Sequence, residues 1–450
     1  MNQDFVNSSK DRGRRILFGL RRLLKGKFFR NVMTVASGAA AAQAITVLFS
    51  PAIARLYGPE HFGALGVFLS MASILNPMAT MGYASALVLP AEDGDARRLM
   101  KLSLSIAAVI AAALLAVLAV AREPIAGALQ APLLEPFLLF LPAMVLATGF
   151  SQVLSQWCIR KKQFQVKAKV SVIAAFLMNG GKTGAGFFFP FTGTLVMATV
   201  IGTALRGILL MRYSDFQWKK TVRSAAKQTR RSLWNTKLAK EYADFPKYFT
   251  PRRVIDSTSN NLPLLALTAL FGPAEAGFYA MGRRVLQMPA QLVGTAVSDV
   301  VYPRMAEAYR RGEHMTKLLF KATLGLLAAG VLPFGAVMFF GPAIFGFVLG
   351  EEWFTAGEYA RWLSLWAYSR LLLRPTARTL QVLGQQHLQL LFSVLSILLG
   401  IGGLAVGGIL FDSDILAIAL FSVTGAALAL LLMAVTLWRC RSHDRGQQKT

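Results

Sequence analysis

Three features of the sequence predict an all-α integral membrane protein of about twelve transmembrane helices in two pseudo-symmetric six-helix halves. They are long apolar runs, basic residues kept to one side of those runs, and a turn that recurs half a chain later. Of the 450 residues, 55% are hydrophobic, and the mean hydropathy is +0.49. Runs such as 39–49, 106–121 and 415–437 reach or approach the roughly 20 apolar residues that cross a bilayer core.

The candidate spans, in order, are 31–55, 62–89, 99–121, 135–158, 167–190, 192–212, 254–271, 275–302, 316–341, 356–382, 386–411 and 414–438. They divide the chain into a basic amphipathic segment (1–30), an N-lobe (31–212), a basic linker (213–253), a C-lobe (254–438) and a tail (439–450). The first 30 residues are too long and too charged for a signal peptide, and no small-residue cleavage site follows the first apolar run. The first span is therefore expected to remain as an anchor. Residues 14–29 and 213–253 interleave bulky apolar with basic side chains. Both are expected to lie on anionic headgroups.

With the N-terminus placed inside, 39 of the 48 lysines and arginines fall on one side of the spans. The opposite links carry Glu60, Glu275, Glu351, Glu352, Asp412 and Asp414. The positive-inside rule then puts both termini in the cytoplasm and the chain in a bacterial inner membrane. The net charge of +26 would suggest nucleic acid on a soluble protein. Here the positives sit in short links between apolar segments, so no nucleic-acid partner is expected. Cys158, Cys440 and four scattered histidines have no ligand spacing, so neither a metal nor a cofactor is expected. The outer links leave no room for a catalytic domain; the longest, 342–355, reads as an interfacial turn around Trp353 and Phe354.

The turn Leu56-Tyr57-Gly58-Pro59-Glu60-His61-Phe62-Gly63 returns as Leu270-Phe271-Gly272-Pro273-Ala274-Glu275-Ala276-Gly277, 214 residues later. Gly-Pro stops one helix and starts the next, because proline suits a first helical turn. Six spans per half give both copies the same orientation. In transport folds built from such parallel repeats the substrate sits between the halves.

Charged side chains at mid-span cost about 2.5–3.5 kcal/mol each on insertion scales and mark a polar path or a partner. Span eight aligns Arg284, Gln287, Gln291, Thr295 and Asp299 on one helical face. Span ten aligns Arg370, Arg374, Arg378 and Gln381, with Arg378 assigned to the inner headgroups and Pro375 expected to kink the helix. Span five carries Lys182 in a glycine-rich stretch. Its Gly-Lys-Thr is not a nucleotide loop, since Phe176 stands where that motif needs glycine. Arg206 reads equally as a headgroup anchor or a cavity residue, and only one of Arg283 and Arg284 can share the face of span eight. Asp256 and Asp299 read either as a proton or sodium site or as ion-pair partners for the arginines. Excess fixed positive charge between two halves selects an anion, and arginine suits phosphate through its planar two-bond fork.

The segment Ala54-Arg55-Leu56-Tyr57-Gly58-Pro59-Glu60-His61-Phe62-Gly63 resembles the first-loop signature of polysaccharide-biosynthesis flippases. So does Gly277-Phe278-Tyr279-Ala280-Met281-Gly282-Arg283-Arg284, leading to Pro289 and Tyr302-Pro303-Arg304. These are the O-antigen (Wzx-like) transporters of the multidrug/oligosaccharidyl-lipid/polysaccharide (MOP) exporter superfamily, whose other branches include the multidrug MATE transporters. The resemblance implies a MOP/MATE-like fold and no enzymatic activity. It implies an undecaprenyl-pyrophosphate-linked oligosaccharide as cargo and a functional complex with a polymerase and a chain-length regulator. The family places an arginine where Arg55 stands. Arg55, Lys182, Arg284, Arg370 and Arg374 are thus candidates for the pyrophosphate. Gln43, Asn76, Gln287, Gln291, Asn260 and Asn261 could bond sugar hydroxyls. A cation-coupled multidrug exporter is the rival reading, and it would want carboxylates in the cavity.

Overall fold

The structure, a computed structural model, describes residues 27–215, 236–311 and 313–447; side chains at 292–300 and a few other positions lie outside the description. The segment 1–26, most of the linker and the Asp299 side chain are therefore not described.

The described chain is helical throughout. The elements are α1 (Lys27–Leu75), which is two helices joined at a kink at Gly58, α2 (Tyr83–Ala86), α3 (Asp93–Ala128), a 3-10 turn (Pro132–Phe140), α4 (Leu141–Arg160), α5 (Phe164–Gly186) and α6 (Thr192–Tyr213). After the linker come α7 (Thr236–Glu241), a π turn (Phe245–Phe249), α8 (Thr250–Phe271), α9 (Pro273–Arg311) and α10 (Met315–Leu349). A 3-10 turn (Glu351–Trp353), α11 (Phe354–Val382), α12 (Gln386–Ala405), a π turn (Val406–Leu410) and α13 (Asp414–Gln447) complete it. Among the described residues, α1, α3, α4 with its preceding turn, α6, α10, α12 and α13 are long and apolar enough to cross a membrane. Helices α5, α8, α9 and α11 are equally long but more polar. They carry Lys182, Asp256 and Asn260, Arg283 and Arg284, and Arg370 to Arg378.

Two expectations need correction. Span two was expected to run to residue 89 but its helix ends at Leu75. Pro77 disfavours helical geometry at Asn76, and the chain then turns through positive φ at Met81 and Gly82. Trp353 is not an interfacial side chain: it is 1% exposed, donates to Ala54 O at 3.2 Å, and meets Phe62 and Phe278 edge-on. Helix α11 runs through Pro375 as one element.

The repeated turn is visible as a structural repeat. Gly58 and Gly272 both adopt positive φ with extended ψ, a conformation L side chains avoid. A Cβ on Gly63 would lie 1.6 Å from Pro273 O, and one on Gly277 would lie 2.1 Å from Pro59 O. Residue 63 meets 273 while 277 meets 59, the reciprocal contact that a two-fold relation produces. This turn defines the Gly-Pro face of the molecule; the opposite end is the basic face.

Around this contact α1 packs against α8, α9 and α10 of the other half. One large apolar core, including Tyr57, Phe68, Tyr279 and Trp353, joins the halves on the Gly-Pro side. Toward the basic face the core divides. One cluster around Leu99, Leu154 and Trp157 belongs to the first half, and another around Met305, Met315 and Cys440 belongs to the second. At that face Arg160 binds Asp93 at 3.1 Å and the carbonyl of Pro90 at 2.5 Å. Arg304 donates to Glu313 and holds that carboxyl below the usual range.

Candidate functional site

Two cavities lie where the cores separate. The C-lobe cavity, about 530 Å³, is framed by α9 and α11. From α11 come Arg370, Arg374 and Arg378, one helical turn apart and therefore on one face. From α9 come Arg283, Gln287 and Gln291. Four guanidinium groups line this space, and among the described residues no carboxylate does. Arg370 stands over the Trp366 ring, 5.4 Å from its centroid. Arg378 donates to Gln381 at 3.2 Å, and Arg283 donates to the carbonyl of Asn260. Flat, fixed cations around a space of this size can hold an anion with several oxygens.

The N-lobe cavity, about 630 Å³, lies between α4, α6 and the start of α8. Its lining is mainly uncharged and hydrogen-bonding, with Arg206, Arg253 and Asp256 as its charged members. Asp256 is exposed and lies 4.0 Å from Arg252. Asn260 lines both cavities, and its amide donates to Asp256 O at 2.7 Å.

The expected site residues whose side chains are described therefore fall into four places. Arg370, Arg374, Gln287, Gln291 and Asn260 come together in the C-lobe cavity, and Asp256 joins Asn260 in the N-lobe cavity. Lys182 and Arg284 line neither. Lys182 is 7% exposed on α5, its carbonyl accepts from Tyr57 at 2.7 Å, and Arg284 supplies the neighbouring charge. Arg55 stands at the Gly-Pro face, donating to Phe347 O and Val348 O at the end of α10, at 2.9 and 3.1 Å. Sequence reasoning missed Arg283, since 283 and 284 both stack acceptably on Gln287, and gave Arg378 to the headgroups. It also passed over the polar stripe Thr148, Gln152, Ser155, Gln156 on α4, which is visible at helical spacing.

The polysaccharide biosynthesis protein family matches residues 52–357. The succinoglycan biosynthesis transport protein ExoT of Rhizobium meliloti (strain 1021) is 22% identical over 72% of this chain; the match spans 62% of that relative, less than two thirds of its length. Among solved structures, an inward-facing multidrug-resistance MATE transporter of the MOP superfamily superposes with a TM-score of 0.70. It is 12% identical, with 90% of this chain and 96% of that one covered. The lipid II flippase MurJ in an inward-closed conformation gives 0.68 at 12% identity, covering 90% and 87%. The multi-pass helical fold is that of MOP-superfamily transporters, and with more than half its length matched the chain belongs to the polysaccharide biosynthesis protein family.

Proposed function

We propose that this chain is a flippase. It carries undecaprenyl-pyrophosphate-linked oligosaccharide repeat units from the cytoplasmic to the periplasmic leaflet, for O-antigen, exopolysaccharide or capsule synthesis. The observation that carries this reading is the C-lobe cavity with four arginines and no carboxylate among the described residues. A pyrophosphate satisfies such a space; a cationic drug does not, which disfavours the multidrug reading. The resemblance and the family supply the lipid and the sugar.

The basic face is read as cytoplasmic from the lysine and arginine excess. The separated cores then make the structure one that receives cargo from the cytoplasm, with the Gly-Pro face shut. Transport is alternating access: the halves rock about their contact, and the lipid tail stays in the bilayer. Moving negative cargo outward is favoured by about 2.3 kcal/mol per charge per 100 mV. Resetting the empty, positive cavity is the costly leg, where proton or sodium coupling would act through Asp256 or Asp299. A polymerase and a chain-length regulator are the expected partners downstream.

The test scores lipid-linked oligosaccharide on each leaflet in a strain lacking the chain. Cargo should accumulate on the cytoplasmic leaflet and be relieved by the wild-type gene. Arg370→Ala and Arg374→Ala should cut flipping at least about tenfold at unchanged expression, the loss of one desolvated charge contact. Normal flipping in both variants would sink the reading.

A further inference from the structure

The two cavities differ in chemistry, and the difference follows the lobes. The C-lobe cavity is defined by guanidinium groups. The N-lobe cavity is lined mainly by hydroxyls and amides, Thr148, Gln152, Ser155 and Gln156 from α4, Asn76 beyond the end of α1 and Thr203 from α6, with Arg206, Arg253 and Asp256 as its charged members. The four α4 residues follow one another at intervals of four, three and one, so they form one stripe along the helix. Behind this lining Asn76 Oδ1 and Thr148 Oγ1 are buried without a hydrogen-bond partner among the described residues.

A ligand suited to this wall is rich in groups that both donate and accept, and needs little fixed charge. A saccharide has that chemistry: amide side chains grip neighbouring hydroxyls with their donor and acceptor ends. The cavity volume falls within the range of about 300–1,000 Å³ common to small-molecule sites. Asn260 belongs to both cavities, which makes α8 the boundary between two kinds of contact.

We propose that the N-lobe cavity is the glycan subsite, read chiefly by the α4 stripe, and that the cargo lies across the lobes with its sugars on the N-lobe and its pyrophosphate on the C-lobe arginines. This rests on the flippase reading. It divides recognition by lobe: α4 sets which oligosaccharide is accepted, while α9 and α11 hold the part common to all such lipids. It also gives the cargo a grip on both moving bodies, so that a lipid pyrophosphate without sugar engages only one.

The experiment uses the full chain in nanodiscs and two probes. One is bare undecaprenyl pyrophosphate; the other is the lipid-linked oligosaccharide extracted from a strain lacking this chain. Wild-type protein should bind the glycosylated probe at least about tenfold more tightly than the bare one. Gln152→Leu with Gln156→Leu should erase that difference and leave bare-lipid binding unchanged. The isosteric Thr148→Val should do the same in smaller degree, and it keeps the helix packing. Arg370→Ala should weaken both probes alike. Equal wild-type affinity for the two probes overturns the subsite, as does an α4 variant that weakens both equally. Binding of neither probe by wild-type protein overturns the flippase reading itself.

Discussion

Lys182 is the one charged residue that is buried among those described. It lies on α5, which packs along α1, with Tyr57 on its backbone and the cationic Arg284 as its charged neighbour. An ammonium so placed is largely desolvated, with a like charge beside it and no carboxylate partner among the described residues, and a buried charge in that state costs several kcal/mol. Lys182→Met, similar in length and apolar, should therefore stabilise the protein by about 1–4 kcal/mol, read as a higher Tm in detergent. Flipping should fall in the same variant, because the charge is retained at a cost to the fold. A lower Tm would show instead that an anion or carboxylate holds the lysine in place. Of the residues now grouped in the C-lobe cavity, Arg370 and Arg374 were legible because the intervals 370–374–378 put three cations on one helical face. Arg283 was not, because two adjacent arginines fit the same glutamine ladder and only packing chooses between them. The partners of Arg55 were not legible, since nothing local links it to carbonyls at 347 and 348.

At the scale of elements, the tightest constraint is the contact between the two copies of the Gly-Pro turn. Each of Gly63 and Gly277 faces a backbone carbonyl rather than a flexible side chain, so an added methyl cannot be absorbed by a rotamer change. Gly63→Ala should cost about 1–3 kcal/mol or more, and Gly277→Ala about as much. The double variant should cost less than the sum, because the first substitution already separates the helices that the second would push apart. Gly127→Ala on α3 is the control: a Cβ there meets nothing within 4 Å, so its Tm should hold or rise. Comparable losses at 127 and 63 would refute the packing argument. The repeat itself was legible because glycine and proline leave an unambiguous mark. The helix positions were legible from apolar runs, and even the four more polar helices stood out by their embedded charges. The end of α1 was not, because the apolar stretch continues past Asn76-Pro77 while the backbone does not.

At the scale of the whole molecule, one core is shared on the Gly-Pro side and the cores are split on the basic side, which on the flippase reading is one half of a transport cycle. The charge asymmetry of the sequence is what sets the proposed orientation of the chain. The division of chemistry between lobes was not legible, because a sequence shows which residues share a helix face but not which faces enclose a space. Alternating access requires the Gly-Pro face to open, and three local contacts oppose that. They are Arg55 on the end of α10, Trp353 on Ala54, and the reciprocal glycine contact. Holding them shut should stop transport without touching either cavity. Arg55→Cys with Val348→Cys, joined by a short reducible bifunctional thiol reagent, spans about the reach of the arginine it replaces. Cys158 and Cys440 are buried and are set to alanine for a clean background. The linked protein should still bind lipid-linked oligosaccharide from the basic side, fail to deliver it to the other leaflet, and regain delivery on reduction. Delivery at the wild-type rate with the link intact would mean that the Gly-Pro face does not open, and the cargo would then need a route along the lipid-exposed surface of the helices.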